Sequence, residues 1–173
     1  MIIETPRLTI FPLTFDQLVL YLRDDSQLER ELNLNEAVRV IPQALLDAFN
    51  ETILPAVADP SKNYLYSTLW TVVCKERNQM VADLCFQGEP NREGEIEIGY
   101  GTYDLFQGMG FITEAIGAVV RWAFSQPKVK AIIAETDQTN VASHRVLEKN
   151  GFVRVRTSES SFWWRLERSD FAQ

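Results

Sequence analysis

The stretch over residues 95–136 limits the possible folds most, because it reads as strand, turn, helix and strand without a break. Ile96, Ile98 and Tyr100 alternate with Glu95, Glu97 and Gly99, the period of a strand with two unlike faces. After a turn at 107–110, apolar residues fall at Ile112, Ala115, Ile116, Val119, Val120, Ala123 and Phe124. This i, i+3, i+4, i+7 spacing predicts a helix with one buried stripe. A short strand follows at 131–136, and strand, helix and strand in succession force a parallel crossover. The chain is thereby committed to a sheet that cannot be purely antiparallel.

The remaining segments are arranged around that unit. A strand is predicted over 7–11. Thr14 and Gln17 have the spacing of a capping box and start a helix over 15–23. A second helix fits 42–58, with Pro42 in its first turn and Leu45, Leu46, Phe49, Ile53 and Leu54 on one stripe. Residues 64–74 and 80–86 read as a hairpin around Lys-Glu-Arg-Asn-Gln. Asn140 suits the N-cap of a helix ending near Lys149, and Asn150-Gly151 supplies a left-handed stop. Strands over 152–157 and 162–168 flank a polar turn. The order is β-α-α-β-β-β-α-β-α-β-β. It predicts an α/β (α+β) fold with a mixed, mostly antiparallel central sheet of about seven strands and helices on both faces. At 173 residues, 46% of them hydrophobic, a single domain over 1–173 is expected.

Composition narrows the function. Seventeen basic against 24 acidic residues leave a net charge of −7, which repels nucleic-acid phosphates and anionic lipid surfaces, so neither is expected as a partner. One histidine and two cysteines cannot furnish a structural zinc site, and no metal is expected. Cys74 and Cys85 could face each other across the hairpin, but buried reduced thiols are the expectation. The N-terminus lacks the basic and apolar regions of a secretory signal, so a cytoplasmic location is expected.

Gln107-Gly108-Met109-Gly110-Phe111-Ile112-Thr113-Glu114 joins a strand to the long helix. Unpaired amides and the positive end of the helix dipole meet there, a place that attracts phosphate. Two glycines by themselves equally make a tight turn. Thr113 occupies the third position of a dinucleotide fingerprint, and no Walker lysine is present.

This turn, together with Glu-Thr-Pro-Arg-Leu at the start, Glu-Ile-Glu-Ile-Gly-Tyr-Gly-Thr-Tyr before it, Thr-Asn-Val-Ala-Ser-His-Arg-Val-Leu-Glu-Lys-Asn-Gly-Phe-Val after it and Phe-Trp-Trp-Arg-Leu-Glu-Arg-Ser-Asp-Phe at the end, resembles the GNAT superfamily of acetyl-CoA-dependent N-acyltransferases. The likeness is greatest to the branch that acetylates the N-termini of ribosomal proteins. It implies acetyl-CoA as co-substrate and a splayed strand pair whose free backbone groups hold pantetheine. It also implies cofactor contacts from Tyr100, Gly101, Thr102, Gln107, Gly108, Met109, Gly110, Phe111, Ile112 and Asn140. Ile112 replaces the small residue usual at its place.

Transfer from a thioester to an amine needs a neutral amine, a stabilised oxyanion and a proton for the departing thiolate. The resemblance assigns Glu97 as general base, directly or through water, and either Ser143 or water as the acid. Leu147 stands where many relatives carry a tyrosine acid. An oxyanion donor is expected from a bulge near Tyr100 to Thr102. Ser143 and His144 are adjacent, and consecutive helical side chains diverge too far to form a triad. His144 and the four tryptophans read first as packing residues, with one tryptophan available to line an acceptor cleft. The acceptor implied is a primary amine, either a peptide α-amine or a small amine, bound by a monomer or homodimer. Asp24, Asp25, Glu29, Glu31 and Glu36 either draw that cation or form a solvated face. A non-catalytic acyl-CoA-binding module of the same fold is the alternative.

Overall fold

The computed structural model describes residues 1–23 and 25–171. Among these, eight strands pair in the order β1-β2-β3-β4-β5-β6-β8-β7. They are β1 (Ile3–Glu4), β2 (Leu8–Pro12), β3 (Leu69–Cys74), β4 (Gln79–Phe86), β5 (Glu95–Thr102), β6 (Ala131–Asp137), β7 (Val153–Thr157) and β8 (Ser161–Glu167). Every neighbouring pair is antiparallel except β5 and β6, the crossover predicted from the strand, helix and strand pattern. The eighth strand is β1, whose two residues are too few to show an alternation. It folds back on β2 with Ile3 opposite Ile10.

Helices cover both faces. On one lie α1 (Phe15–Tyr21), α2 (Gln27–Glu31), α3 (Gln43–Ala48) and α4 (Leu54–Ala58), with a π-helical turn, Phe49–Ile53, between the last two. The capping box forms as predicted: Gln17 N–H donates to the Thr14 hydroxyl and the Gln17 side chain accepts from Thr14 N–H. The helix predicted over 42–58 widens because Pro55 has no amide for the Glu51 carbonyl and its ring crowds that oxygen. On the opposite face lie α5 (Phe111–Ser125) and α6 (Val141–Lys149), and α7 (Arg168–Phe171) ends the described chain. No helix among the described residues is long and apolar enough to cross a membrane.

Two sequence expectations change and one, the reduced thiols, holds. Residues 64–66 form a 3-10 turn, because the Asn63 side chain accepts from Leu65 N–H and the Trp70 indole donates to the Leu65 carbonyl, so β3 starts only at Leu69. The hairpin register sets Cys74 opposite Gln79 and Cys85 opposite Leu69, so the thiols sit at opposite ends of the ladder and are free. Burial and the Asp83 charge push the Cys85 thiol up to about 11, which makes it a poor nucleophile. In the acidic segment, Asp24 lies outside the described residues, and Glu29 is not on a solvated face. Its side chain is buried and paired with Arg39.

The core explains the placement of α5. Trp122 from this helix meets Trp70, Tyr66 and Phe86, with ring centroids 4.7, 5.7 and 5.8 Å away. A Cβ at Gly117 would stand 2.9 Å from Asn150 Oδ1, and Asn150 Nδ2 donates to the Thr113 and Val146 carbonyls. This close approach locks α6 to α5, so that both N-termini open toward one side of the sheet.

On the other face a buried carboxylate fastens α1 and the end of β5 to β4. Asp83 Oδ2 accepts from the hydroxyls of Tyr21, at 2.7 Å, and Tyr103, at 2.8 Å. Burial raises its carboxyl from 3.8 to about 6, against the lowering effect of the two tyrosines. A folded-state value above the unfolded one means that stability is lost as pH rises from the lower to the higher value. The gap corresponds to about 3 kcal/mol. Denaturant unfolding of wild type and Asp83→Asn between pH 4 and 8 measures it. The wild type is expected to lose roughly that much stability relative to the variant between pH 4 and 7, and curves that stay parallel would contradict the account.

Candidate active site

Strands β5 and β6 pair only over Glu95–Glu97 and Ala131–Ile133, and then diverge. Past that point β5 stays bonded to β4 alone, from Ile98 to Thr102. Gln87 N–H donates to the Glu97 carbonyl and Tyr103 N–H to the Val81 carbonyl. Odd-numbered residues of β5 therefore bond to β4, while Tyr100 and Thr102 turn their N–H and C=O groups, and Ile98 its C=O, into the gap. The β4–β5 ladder runs without a register shift. The bulge predicted near Tyr100 to Thr102 is absent, and the divergence of the strands frees the donors instead.

A cleft of about 460 Å³ continues from the gap to the start of α5 and α6. Tyr100, Gly101, Thr102, Gln107, Gly108, Gly110, Ile112, Asn140 and Ser143, all candidates from the sequence, line it. Gly108 and Gly110 take φ values of +74° and +76°, where a Cβ strains the backbone. The Glu114 amide donates to the Gly110 carbonyl, which leaves the amides of Phe111, Ile112 and Thr113 without intrahelical partners at the cleft. Asn140 Oδ1 caps α6 through Ser143 N–H at 3.1 Å and also lines the cleft. Arg145 and Lys149, one turn apart on α6, add two cations to the same wall.

Two candidates enter differently from what the sequence suggested. The side chains of Met109 and Phe111 are not on the cleft wall. Met109 is 41% exposed with its carbonyl taken by Arg7, and Phe111 is buried beside Phe106. Neither residue is among those that line the cleft.

Arg7 was not singled out by periodicity, yet it braces the turn. Its Nε donates to Glu114 Oε2 at 2.6 Å, its Nη1 to the Met109 carbonyl at 3.0 Å, and its guanidinium lies 4.8 Å from the Phe111 ring centre. Thr5 Oγ1 donates to Glu114 Oε1 at 2.6 Å. Burial alone would raise the Glu114 carboxyl, but the bonds from Thr5 and Arg7 outweigh it and hold the group below the usual glutamate value. The Thr-Pro-Arg-Leu segment at the start of the chain was the available signal.

Glu97 sits at the last paired position before the strands part, on the face that carries α1 to α4. Burial and then the charge of Glu135 push its carboxyl up from 4.5, against a lowering bond of 2.8 Å from Gln87 Nε2. Glu95 beside it is instead neutralised by Arg165 at 2.5 Å. Trp163 shares that face, with Arg156 stacked on its ring, while Trp164 is buried on the other face with its indole donating to Thr136. Ser143 and Tyr100 meet on the α5 and α6 face, where Ser143 Oγ donates to Tyr100 Oη at 2.7 Å. His144 packs against Phe162 and Trp164, its ring nitrogen 3.0 Å from the Asp137 carbonyl.

Residues 7–153 match the family model of the acetyltransferase (GNAT) domain. The chain belongs to the GNAT acetyltransferase family. It is similar to the uncharacterized N-acetyltransferase YjdG of Bacillus subtilis, at 33% identity over 95 residues, 54% of this chain and 56% of the relative. The match thus spans about half the length of that curated relative. Among solved structures, ribosomal-protein-S5-alanine acetyltransferase from Vibrio fischeri superposes with a TM-score of 0.67 at 16% identity, over 99% of this chain and 98% of the other. The ribosomal L7/L12 α-N-protein acetyltransferase RimL, solved in complex with coenzyme A, gives 0.62 at 14% identity, over 96% and 98%. At these identities the structures establish a shared fold.

In this GNAT domain the bare backbone at Gly110 generates a direct prediction. Gly110→Asp places a carboxylate at the helix N-terminus where an anion would approach, while the core stays intact. Acetyl-CoA at a hundredfold excess over Kd should stabilise the wild type by about 2.7 kcal/mol, and the variant not at all. Thermal melts, with far-ultraviolet circular dichroism as the control for folding, measure both. A folded variant that keeps the full shift would place the anion site elsewhere.

Proposed function

We propose that the protein transfers an acetyl group from acetyl-CoA to a primary amine by direct attack. The observation that carries this reading is the divergence of β5 from β6 beside a glycine turn at a helix N-terminus. The amides of Phe111 to Thr113, with Arg145 and Lys149, suit the pyrophosphate and adjoining phosphate. The free groups of Ile98, Tyr100 and Thr102 suit pantetheine, whose amides need both donors and acceptors.

Base and acid then lie on opposite faces of one strand. Glu97 serves as the base on the side of α1 to α4, where the acceptor would arrive. The hydrogen-bonded hydroxyls of Ser143 and Tyr100 supply the proton from the other side. Three residues of strand, about 10 Å, separate Glu97 from Tyr100, which leaves room for a thioester and an amine between them. Leu147, at the place of the tyrosine acid of many relatives, is wholly buried, so a proton donor has to come from elsewhere on the cleft wall.

A peptide α-amine is the acceptor this base suits best. Its pKa of about 8 leaves a fair fraction neutral near pH 7.5, whereas a lysine amine at about 10.4 requires a stronger base. Proteins of this fold include ribosomal-protein acetyltransferases and a spermidine N-acetyltransferase, so the choice rests on the acidity of the amine.

The test is release of free thiol from acetyl-CoA with a panel of amines, together with mass spectrometry of the products. Peptides beginning with alanine or serine should outperform polyamines and lysine side chains. Binding of acetyl-CoA without thiol release from any amine would favour the non-catalytic module. Glu97→Gln should lower kcat about 100-fold to 10,000-fold with acetyl-CoA affinity unchanged. Because burial raises the Glu97 carboxyl, the wild-type rate should climb with pH through a value above 4.5, and the variant should lose that limb. An unchanged pH profile in the variant would reduce Glu97 to a structural part of the strand.

A further inference from the structure

Within the hydroxyl pair on the cleft wall, we infer that Tyr100 is the group that protonates the departing thiolate and that Ser143 positions it and steadies its phenolate. The inference rests on the acetyl-transfer reading above and commits to one member of the pair.

The contact between the two hydroxyls and their unequal acidity carry it. Ser143 Oγ and Tyr100 Oη lie 2.7 Å apart on the cleft wall, and Tyr100 Oη also lies 3.3 Å from the Ser143 carbonyl. In such a pair either hydroxyl can donate, so the serine can donate to the tyrosine oxygen while the tyrosine proton turns to a ligand sulfur in the cleft.

Intrinsic acidity agrees with the geometry. A phenol has a pKa near 10, whereas an aliphatic hydroxyl is a far weaker acid, comparable to water. Both are weaker than the thiol at about 8.5, so the proton moves as the carbon–sulfur bond breaks, and the stronger acid of the two transfers it at lower cost. Burial pushes the Tyr100 phenol up to about 12, and the Ser143 bond pulls against that shift. The serine bond thus favours the phenolate left after transfer.

Place on the chain agrees as well. Tyr100 is half-buried on β5, and its own backbone N–H and C=O face the gap assigned to pantetheine. Ser143 reaches the same spot from the first turn of α6, where Asn140 fixes its backbone at 3.1 Å. Cap, serine and tyrosine form one chain of contacts from the helix end to the cleft.

The step balances without any further reactant. The neutral amine attacks the thioester carbon and its excess proton passes to Glu97. The carbon–sulfur bond then breaks with its electron pair on sulfur, and the Tyr100 Oη proton moves to sulfur to give the free thiol. Tyr100 is left as a phenolate accepting from Ser143 Oγ. Solvent in the open cleft restores its proton and takes the one held by Glu97.

Kinetics on the full chain test this, using acetyl-CoA and whichever amine of the panel gives the fastest thiol release, with calorimetric titration of acetyl-CoA alongside. Tyr100→Phe keeps the ring and should lower kcat about 100-fold with acetyl-CoA affinity within twofold. Ser143→Ala should cost about tenfold, because the donor stays and only its support is lost. Replacing Tyr100 with fluorinated tyrosines of graded acidity provides a readout that packing alone does not move. The high-pH limb of kcat should descend in step with the acidity of the phenol. A Tyr100→Phe rate within twofold of wild type overturns the inference. So does a Ser143→Ala loss equal to that of Tyr100→Phe with a high-pH limb indifferent to fluorination, which would make the serine the donor. A wild-type protein that binds acetyl-CoA but releases no thiol with any amine overturns the acetyl-transfer reading and this inference with it.

Discussion

Everything at the site depends on one interruption of the sheet. β5 and β6 share a ladder for only three residue pairs and then separate, although both strands continue. A sheet that stayed closed would satisfy every backbone group and leave nothing for a ligand. An unpaired amide or carbonyl shut away from both protein and water costs about 1–3 kcal/mol, so an opening of this kind persists only where water or a ligand meets the exposed groups. The opening is held by what flanks it: β5 bonds to β4 along Ile98 to Thr102, and β6 bonds to β8 along its whole length. Each strand is anchored on its far side, so the two can diverge without either unravelling.

Two braces keep the surroundings of the gap rigid, and neither touches the reaction. On one side Arg7 and Thr5 hold Glu114, which ties the N-terminal segment to the first turn of α5. On the other, Asp83 gathers Tyr21 and Tyr103 into the core beneath α1 to α4. Glu29 and Arg39 extend this second brace, with the Arg39 guanidinium lying over the Tyr21 ring at 4.6 Å. Buried charge of this sort is costly to place and costlier to leave unpaired, so these networks fix position more than they add stability.

Periodicity revealed the scaffold because the scaffold is built from repeating faces. The stripe of α5, the alternation of β5 and the Asn140 cap appear in the structure as their spacing implied. Single long-range contacts leave no periodic trace. Arg7 looks like an ordinary charged strand end until Glu114, far along the chain, folds against it. Glu29 looks like one member of an acidic run until Arg39 draws it inward. The Tyr100 and Ser143 contact joins residues 43 positions apart, so neither side chain alone discloses it. The divergence of β5 and β6 is likewise invisible to propensity, since both segments are good strands, and it became legible only through resemblance to GNAT proteins.

The central claim is that acetyl-CoA lies along the freed edge of β5 with its phosphates at the start of α5. Amide chemical shifts followed by nuclear magnetic resonance during an acetyl-CoA titration test it most directly, because they report on each backbone group separately. The account predicts the largest shifts at Tyr100 and Thr102 and at residues 108–113, with these even-numbered amides of β5 moving more than Gly99 and Gly101, which remain bonded to β4. Shifts confined to the face of α1 to α4, or equal movement of odd and even residues along β5, would contradict it.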